Sequence, residues 1–370
     1  MVVLPPWTSS RLLVRCLPSF SSSPAVSNFR LHSHSVSAAS SSAAMDSLLV
    51  LAGKSDAEVQ LAESLKRNNT LKLPDDARFS ISVHENHLTP TTTTADSFSI
   101  TDYMTLLNTG CFGRLLIWSP RLPSTHDIVS QNFCELPVGS VCIADVQYKG
   151  RGRSKNVWES PPGCLMFSFT VQMEDGRVVP LLQYVVSLAV TEALEDVCRA
   201  HGLPPLDVKI KWPNDLYLCG LKVGGILCTS TYKEKKFNVS AGIGLNVDNE
   251  KPSTCLNDAL QELTSGGTRL KKEELVAAFF NKFEVLFQLF NSQGFQALEK
   301  LYYNTWLHSG QKVIIQEKAE DQLVENVVTI QGLTSSGYLL AFDENNEMYE
   351  LHPDGNSFDF FKGLIRRKLQ

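Results

Sequence analysis

Between residues 101 and 306 the apolar positions alternate between the two-residue period of strands and the three-to-four-residue period of helices. "TDYMTLLNT" predicts a helix from Thr101 or Asp102, "RLLIWS" a strand, and "STHDIVSQNF" a second helix with Ser124 or Thr125 near its start. "SVCIADVQY" and "CLMFSFTVQM" read as strands on either side of a glycine- and arginine-rich loop. "VVPLLQYVVSLAVTEALEDVCRAHG" predicts a helix from about Leu181, ended by Gly202 and the two prolines beyond it. There follow a strand, "VKIKW", that alternates Val208, Ile210 and Trp212, a "PND" turn, a hairpin in "LYLCGLKVGGILCTSTY" and a strand in "FNVSAGIGLNV". "KKEELVAAFFNKFEVLFQLFNSQGFQALEKLYYNTW" predicts two helices parted near Gly294, the first strongly amphipathic. Near residue 307 the period changes to short strands and polar turns. The fold class is therefore α+β, a mixed β-sheet flanked by helices, with a small C-terminal β domain, a compact barrel.

The organisation expected is a leader over 1–44, an N-terminal extension of uncertain fold over 45–100, a catalytic domain over 101–306 and a small β domain over 307–370. In the extension, "DSLLVLAGKSDAEVQLAESLKRN" suggests a strand, a turn at Gly53 and a short helix with Asp56 as N-cap. His84 and His87, beside a Thr-rich loop, read as solvent-exposed before they read as metal ligands. The leader holds Arg11, Arg15 and Arg30, no acidic residue and many serines, the composition of an organellar transit peptide for chloroplast or mitochondrion. A start at Met45 would omit it and give a cytosolic form.

The formal net charge of -5 argues against nucleic acid or anionic lipid as a partner of the whole molecule, though not against a local cationic pocket. No run approaches the roughly 20 apolar residues that a membrane-spanning helix needs. The nine cysteines form no CxxC pair and read as reduced intracellular thiols without a zinc site.

Local chemistry concentrates in a few stretches. In "GRGRSKNVWESPPG", Gly150 and Gly152 let the backbone bend around a ligand, Arg151, Arg153 and Lys155 can donate to phosphate, and Trp158 offers a face for a base. By composition alone a solvated connection between strands serves equally well, and the P-loop pattern is absent. In "KWPNDLY", Lys209 and Lys211 place cations on one strand face, and Asp215, after Asn214, could accept from a lysine or help to hold magnesium. Lys222 in "LKVGGILC" is either a rim charge or a donor aimed at a carboxylate or phosphate.

Taken together, "PSTHD", "ADVQYKGRGRSKNVWESPPGCLMFS", "VKIKWPNDLY", "KVGGILC" and "AGIGLNV" resemble the biotin protein ligases, or holocarboxylase synthetases, over about 101–363. The resemblance implies that the C-terminal barrel is SH3-like, and it implies ATP-dependent biotin–protein ligation: biotin and ATP, with Mg²⁺, give biotinyl-5'-AMP, and biotin then passes to a lysine of a biotin carboxyl carrier domain. Carriers of the acetyl-CoA and methylcrotonoyl-CoA carboxylase types are the implied partners. It implies biotin binding by Ser124, Thr125, Gln147, Gly150, Arg151, Gly152, Arg153 and Lys222, and ATP or adenylate binding by Arg153, Trp158, Asn214, Asp215, Lys222 and Asn246. Arg151, Arg153, Lys211 and Lys222 are the catalytic candidates, and Asp215 is the one candidate metal ligand. His126 replaces an asparagine of some bacterial relatives, and no DNA-binding domain is evident before residue 101, so a repressor role is not expected. The alternatives are a lipoate protein ligase, a nucleic-acid-binding regulatory module, whose affinity would fall steeply with salt, and an inactive protein that binds carrier domains.

Overall fold

The computed structural model describes residues 46–74, 78–84, 97–153, 156–250, 253–264, 266–319, 322–353, 356–359 and 362–367. The expected leader, Met45, His87 and Lys155 lie outside them. The chain opens with strand β1 (Asp46–Gly53), helix α1 (Asp56–Asn68) and strand β2 (Arg78–Val83). Helix α2 (Ile100–Leu106), β3 (Leu115–Leu122), α3 (Thr125–Gln131), β4 (Val141–Gln147), β5 (Cys164–Met173) and the long α4 (Leu182–Ala200) follow. Then come β6 (Lys209–Lys211), β7 (Asp215–Leu218), β8 (Leu221–Lys233), β9 (Lys236–Asn246) and helices α5 (Leu256–Leu263), α6 (Lys272–Gln293) and α7 (Glu299–Thr305).

The nine strands form one mixed sheet in the order β2-β1-β3-β4-β5-β9-β8-β7-β6. The segment read as an extension of uncertain fold supplies β1, which lies antiparallel to β3 and parallel to β2. Helix α1 is capped by Ser55, with Glu58 completing a capping box, so Asp56 is the first helical residue rather than the cap. The sheet is buried on both sides. On β1, β3 and β4, Val50, Ala52, Leu116, Trp118, Val141 and Ile143 belong to one core, while Leu49, Leu51, Leu115, Ile117, Cys142 and Ala144 belong to another. That is the two-residue period of a strand with helices on both faces, and it explains the unbroken apolar runs. Helices α4 and α6 cover the first face, where Phe167 and Phe169 of β5 meet Phe279, Phe280 and Phe283 edge-on.

On the opposite face the middle of the sheet is bare of bulk. Residues that pair directly across strands point the same way, so Ser168 stands beside Gly242, and Gly225 beside Gly244. Their neighbours Phe167, Ile226, Ile243 and Leu245 fill the first core. The alternation in "AGIGLNV" therefore has two purposes: large residues bury one face, and glycines leave a hollow on the other.

The C-terminal part is a six-stranded sheet, a curled half-barrel of the expected SH3-like kind, formed by β10 (Lys312–Ala319), β11 (Gln322–Leu333), β12 (Leu339–Phe342), β13 (Met348–Leu351), β14 (Asn356–Asp359) and β15 (Leu364–Arg367). Its order is β13-β12-β11-β10-β15-β14. It grips the end of the large sheet through Trp212. The Trp212 indole N–H lies 2.9 Å from Tyr184 Oη and 3.2 Å from the Gly337 carbonyl, while the Trp212 backbone N–H donates to His308 Nε2 at 2.9 Å. Among the described residues no helix is long and apolar enough to cross a membrane.

Candidate active site

The hollow on the sheet is roofed by α3 and by the loop between β4 and β5, which leaves a narrow cleft. Ser124 caps α3, its Oγ accepting from the Asp127 N–H at 3.3 Å, which fixes the helix start against the sheet. Thr125 follows, and both its N–H (2.7 Å) and its hydroxyl (3.0 Å) donate to Gln147 Oε1. The Thr125 hydroxyl also lies 2.9 Å from Ser168 Oγ, and Gln147 Nε2 donates to Ser160 Oγ at 3.1 Å. A small, buried polar network therefore lines the inner end of the cleft. It suits a compact ligand with both donors and acceptors.

His126 sits at the same wall. Its Nε2 is 2.8 Å from Thr229 Oγ1, and Nδ1 is buried without a hydrogen-bond partner. Burial, with the nearby Arg151 charge, brings its pKa down to about 4, so the imidazole is neutral at physiological pH.

The glycine-arginine loop folds back over this end. Gly152 N–H donates to the Asn156 carbonyl at 2.8 Å, and Trp158 N–H to the Gly150 carbonyl at 3.0 Å. A side chain on Gly150 would meet the Trp158 carbonyl oxygen at 2.5 Å, which accounts for the first glycine of "GRGR". Arg153 Nη1 donates to Asn214 Oδ1 at 3.0 Å, and Asn214 is held in turn by Nδ2 donating to the Ile226 carbonyl at 2.7 Å. Arg151 Nε donates to the Asp127 carboxylate at 2.9 Å.

Trp158 lies flat in the glycine hollow. A Cβ on Gly244 would fall 2.6 to 2.8 Å from its indole atoms, and one on Gly225 would be 3.5 Å away. Lys222 Nζ lies 5.5 Å from the ring centroid and 2.6 Å from Asp215 Oδ1. Lys211 Nζ approaches the other Asp215 oxygen at 3.7 Å. Asp215 thus stands between two ammonium groups. Among the described residues no three His, Cys, Asp or Glu side chains gather as a metal site.

The structure brings Ser124, Thr125, Gln147, Arg151, Gly152, Arg153, Trp158 and Asn214 to one cleft, with Gly150, Lys211, Asp215 and Lys222 at its side. Asn246 is placed differently. It is buried on the face of β9 that carries Gly242 and Gly244, and its amide donates to Ser253 Oγ and the Thr254 carbonyl. Ser253 Oγ in turn donates to the Lys222 carbonyl at 2.6 Å, so Asn246 braces the backbone beside Lys222. Sequence reasoning missed Asp127, Ser168, Gly242 and Gly244; the last two carried a signal in the Gly-x-Gly alternation within an apolar strand. Burial pushes the thiols of Cys164 on β5 and Cys228 on β8 up to about 12, which leaves both poor nucleophiles.

A sheet with a glycine-floored hollow, roofed by an arginine loop and followed by a small β domain, defines the biotin/lipoate ligase class. The family model described as Biotin/lipoate A/B protein ligase family matches residues 118–246, and that described as Biotin protein ligase C terminal domain matches 308–363. The chain is 63% identical over 340 residues to "Biotin--protein ligase 1, chloroplastic" of Arabidopsis thaliana, covering 91% of this chain and 93% of that one. It is 65% identical over 321 residues to "Biotin--protein ligase 2" of the same plant, covering 87% and 98%. The fold is similar to that of the Aquifex aeolicus biotin protein ligase solved in complex with biotin and ATP, at TM-score 0.50 and 26% identity over 64% of this chain and 94% of that one. The chain belongs to the biotin–protein ligase family.

Proposed function

We propose that this chain joins biotin to protein lysines at the expense of ATP, with the cleft roles as follows. The family establishes the class of enzyme and sets the biotin branch above the lipoate one. The observation that carries the residue assignment is the juxtaposition, in one cleft, of the Thr125–Gln147–Ser168 network, the loop arginines and a tryptophan seated beside Lys222. Biotin's cyclic urea meets the network at the inner end, and its carboxylate points toward the loop. Trp158 provides the platform for adenine, a flat apolar face with a cation at its edge.

In the first step the biotin carboxylate attacks the α-phosphate of ATP. A C–O–P mixed anhydride forms and pyrophosphate leaves. Both reactants are anions, so the barrier is lowered by holding them in line and by fixed positive charge. Arg151, Arg153, Lys211 and Lys222 supply that charge, and Asp127 and Asp215 orient it. In the second step the ε-amine of a carrier-domain lysine attacks the anhydride carbonyl, giving an amide and AMP. The folded loop keeps water from the anhydride in between. Magnesium enters with the ATP phosphates as part of the substrate. Asp215 is the carboxylate at that end, and the two lysines beside it make it a donor-ordering group more readily than a dedicated metal ligand.

The acceptors are carboxyl carrier domains of the acetyl-CoA and methylcrotonoyl-CoA carboxylase types. The acidic-free leader sends the full chain to an organelle, the chloroplast in the first place, as the name of the 63% identical relative supports, and a product begun at Met45 stays in the cytosol. The test is incubation of the purified chain with ATP, magnesium and an apo carrier domain, offering biotin or lipoate. Transfer of biotin to the carrier lysine is expected. Transfer of lipoate alone, or ATP-independent binding without transfer, would overturn the reading.

A further inference from the structure

Arg151 is the more exposed of an unequal pair: its side chain is 61% exposed, whereas the Asp127 carboxylate that receives it is 18% exposed. Asp127 is not a surface acid that happens to lie near an arginine. It stands in the first turn of α3, three residues after the cap, and its own N–H is tied to Ser124 Oγ. The residues just before it, Ser124 and Thr125, line the inner cleft. Burial raises the Asp127 pKa, and the Arg151 guanidinium opposes that shift. The loop has a second tether, Arg153 to Asn214, on the far side of the cleft. One arginine thus fastens the loop to the helix that holds one end of the ligand, and the other to the turn that follows the lysine strand.

We propose that Asp127 is a positioning residue for the ligation reaction: by fixing Arg151 to the start of α3 it sets the loop over the cleft and retains the acyl-adenylate between the two steps. The proposal rests on the biotin-ligase reading for the identity of the ligand, and on the Asp127–Arg151 geometry for the tether itself. The pairing has a directional consequence. A ligand that orders Ser124 and Thr125 also orders the turn carrying Asp127, so occupation of the inner cleft favours the loop position seen here.

The tether is tested with Asp127→Asn, which keeps shape and removes charge, and Asp127→Glu, which keeps charge at a longer reach. Two readouts on the full chain separate this proposal from the reaction reading. In ligand-free protein, hydrogen exchange of the Gly152 and Trp158 amides reports the loop; both amides bond within it. In enzyme loaded with labelled biotin and MgATP and then passed rapidly from free nucleotide, release of biotinyl-AMP reports retention. Asp127→Asn should speed both by about three- to tenfold at low salt, the range between an exposed ion pair and a charge-assisted hydrogen bond. Asp127→Glu should recover at least half of the effect on a logarithmic scale. Added salt should accelerate release from the parent toward that of Asp127→Asn, because the arginine is solvent-screened. Amide exchange in Asp127→Asn equal to the parent's, with an unchanged melting temperature, would overturn the tether. A parent that forms no biotinyl-AMP would instead defeat the reaction reading, and the amide readout would still decide the tether.

Discussion

Lys222 is 41% exposed and held at 2.6 Å from Asp215, so its removal leaves no cavity in the core. Lys222→Ala should keep the parent's melting temperature within about 1 °C and slow biotin-dependent ATP–pyrophosphate exchange by about 10²- to 10³-fold, the usual loss on removing a preorganised charge donor. Equal exchange rates in the two proteins would exclude Lys222 from the first step. Gly244 is a quieter position with a sharper geometric argument. A methyl there would lie 2.6 to 2.8 Å from three indole atoms of Trp158, so the ring must leave its seat. Gly244→Ala should raise the KM for ATP about tenfold and leave the KM for biotin within about twofold, and the split between the two checks it. The residues of the cleft were legible where chemistry is unusual: arginines between glycines, a tryptophan after them, lysines on a strand. Asp127 was not, because an acid in the first turn of a helix is ordinary there whether or not an arginine 24 residues later returns to it.

Among the elements, those with a clean period were readable and those that depend on distant partners were not. Helix α4 starts at Leu182 and ends at Ala200, close to the apolar spacing that predicts it. Strand β1 reads as a strand, but no local signal says that it pairs with β3 across more than 60 residues of chain. Strand β6 is three residues long, and its Ile210 bridges to Trp306, almost 100 residues later. Leu307 N–H donates to the Ile210 carbonyl, and His308, fully buried, accepts from Trp212 N–H through Nε2. That bond fixes the tautomer: Nε2 is bare, so Nδ1 carries the proton toward Gln311 Oε1 at 2.9 Å. Burial brings the His308 pKa down to about 4, with Gln311 opposing and Lys211 reinforcing the shift. His126 is depressed to the same value. A histidine whose folded pKa lies below its unfolded value binds its proton more readily in the unfolded chain. Its stabilising contribution is complete above about pH 6.5 and is lost as pH falls toward 4. With a pKa difference of about 2.5, each contributes on the order of 3 kcal/mol to that loss. The urea midpoint should therefore fall between pH 6.5 and 4, and His308→Gln, whose amide oxygen can still accept from Trp212, should flatten the slope. An unchanged slope would show that His308 binds its proton equally in the folded and unfolded chains and is no part of the acid loss.

At the scale of the whole molecule, the small β domain is bonded to the segment that carries Lys211. Trp212 follows Lys211 directly, and its indole is bracketed by Tyr184 of α4 and the carbonyl of Gly337 in the turn between β11 and β12. The Tyr184 hydroxyl also donates to that carbonyl, which closes a three-membered hydrogen-bonded junction. The two domains could be told apart in sequence by their change of period, yet their joint could not, because a tryptophan, a tyrosine 28 residues before it and a glycine 125 residues after it carry no shared pattern. Gly337 is the residue through which the joint can be tested without touching the cleft. Its φ is +82°, and a Cβ there would stand 2.8 Å from the Tyr184 ring. Gly337→Ala should cost about 1–3 kcal/mol from backbone strain and overlap, seen as a melting temperature lower by about 2–6 °C. Because the displaced Tyr184 and Trp212 hold the strand that presents Lys211, adenylate formation should slow at temperatures where the variant is still fully folded, while the KM for biotin, set at the α3 end, stays close to the parent's. Loss of stability with unaltered adenylate formation would mean that the junction supports the fold alone and that Lys211 is held in place by β7 without the small domain.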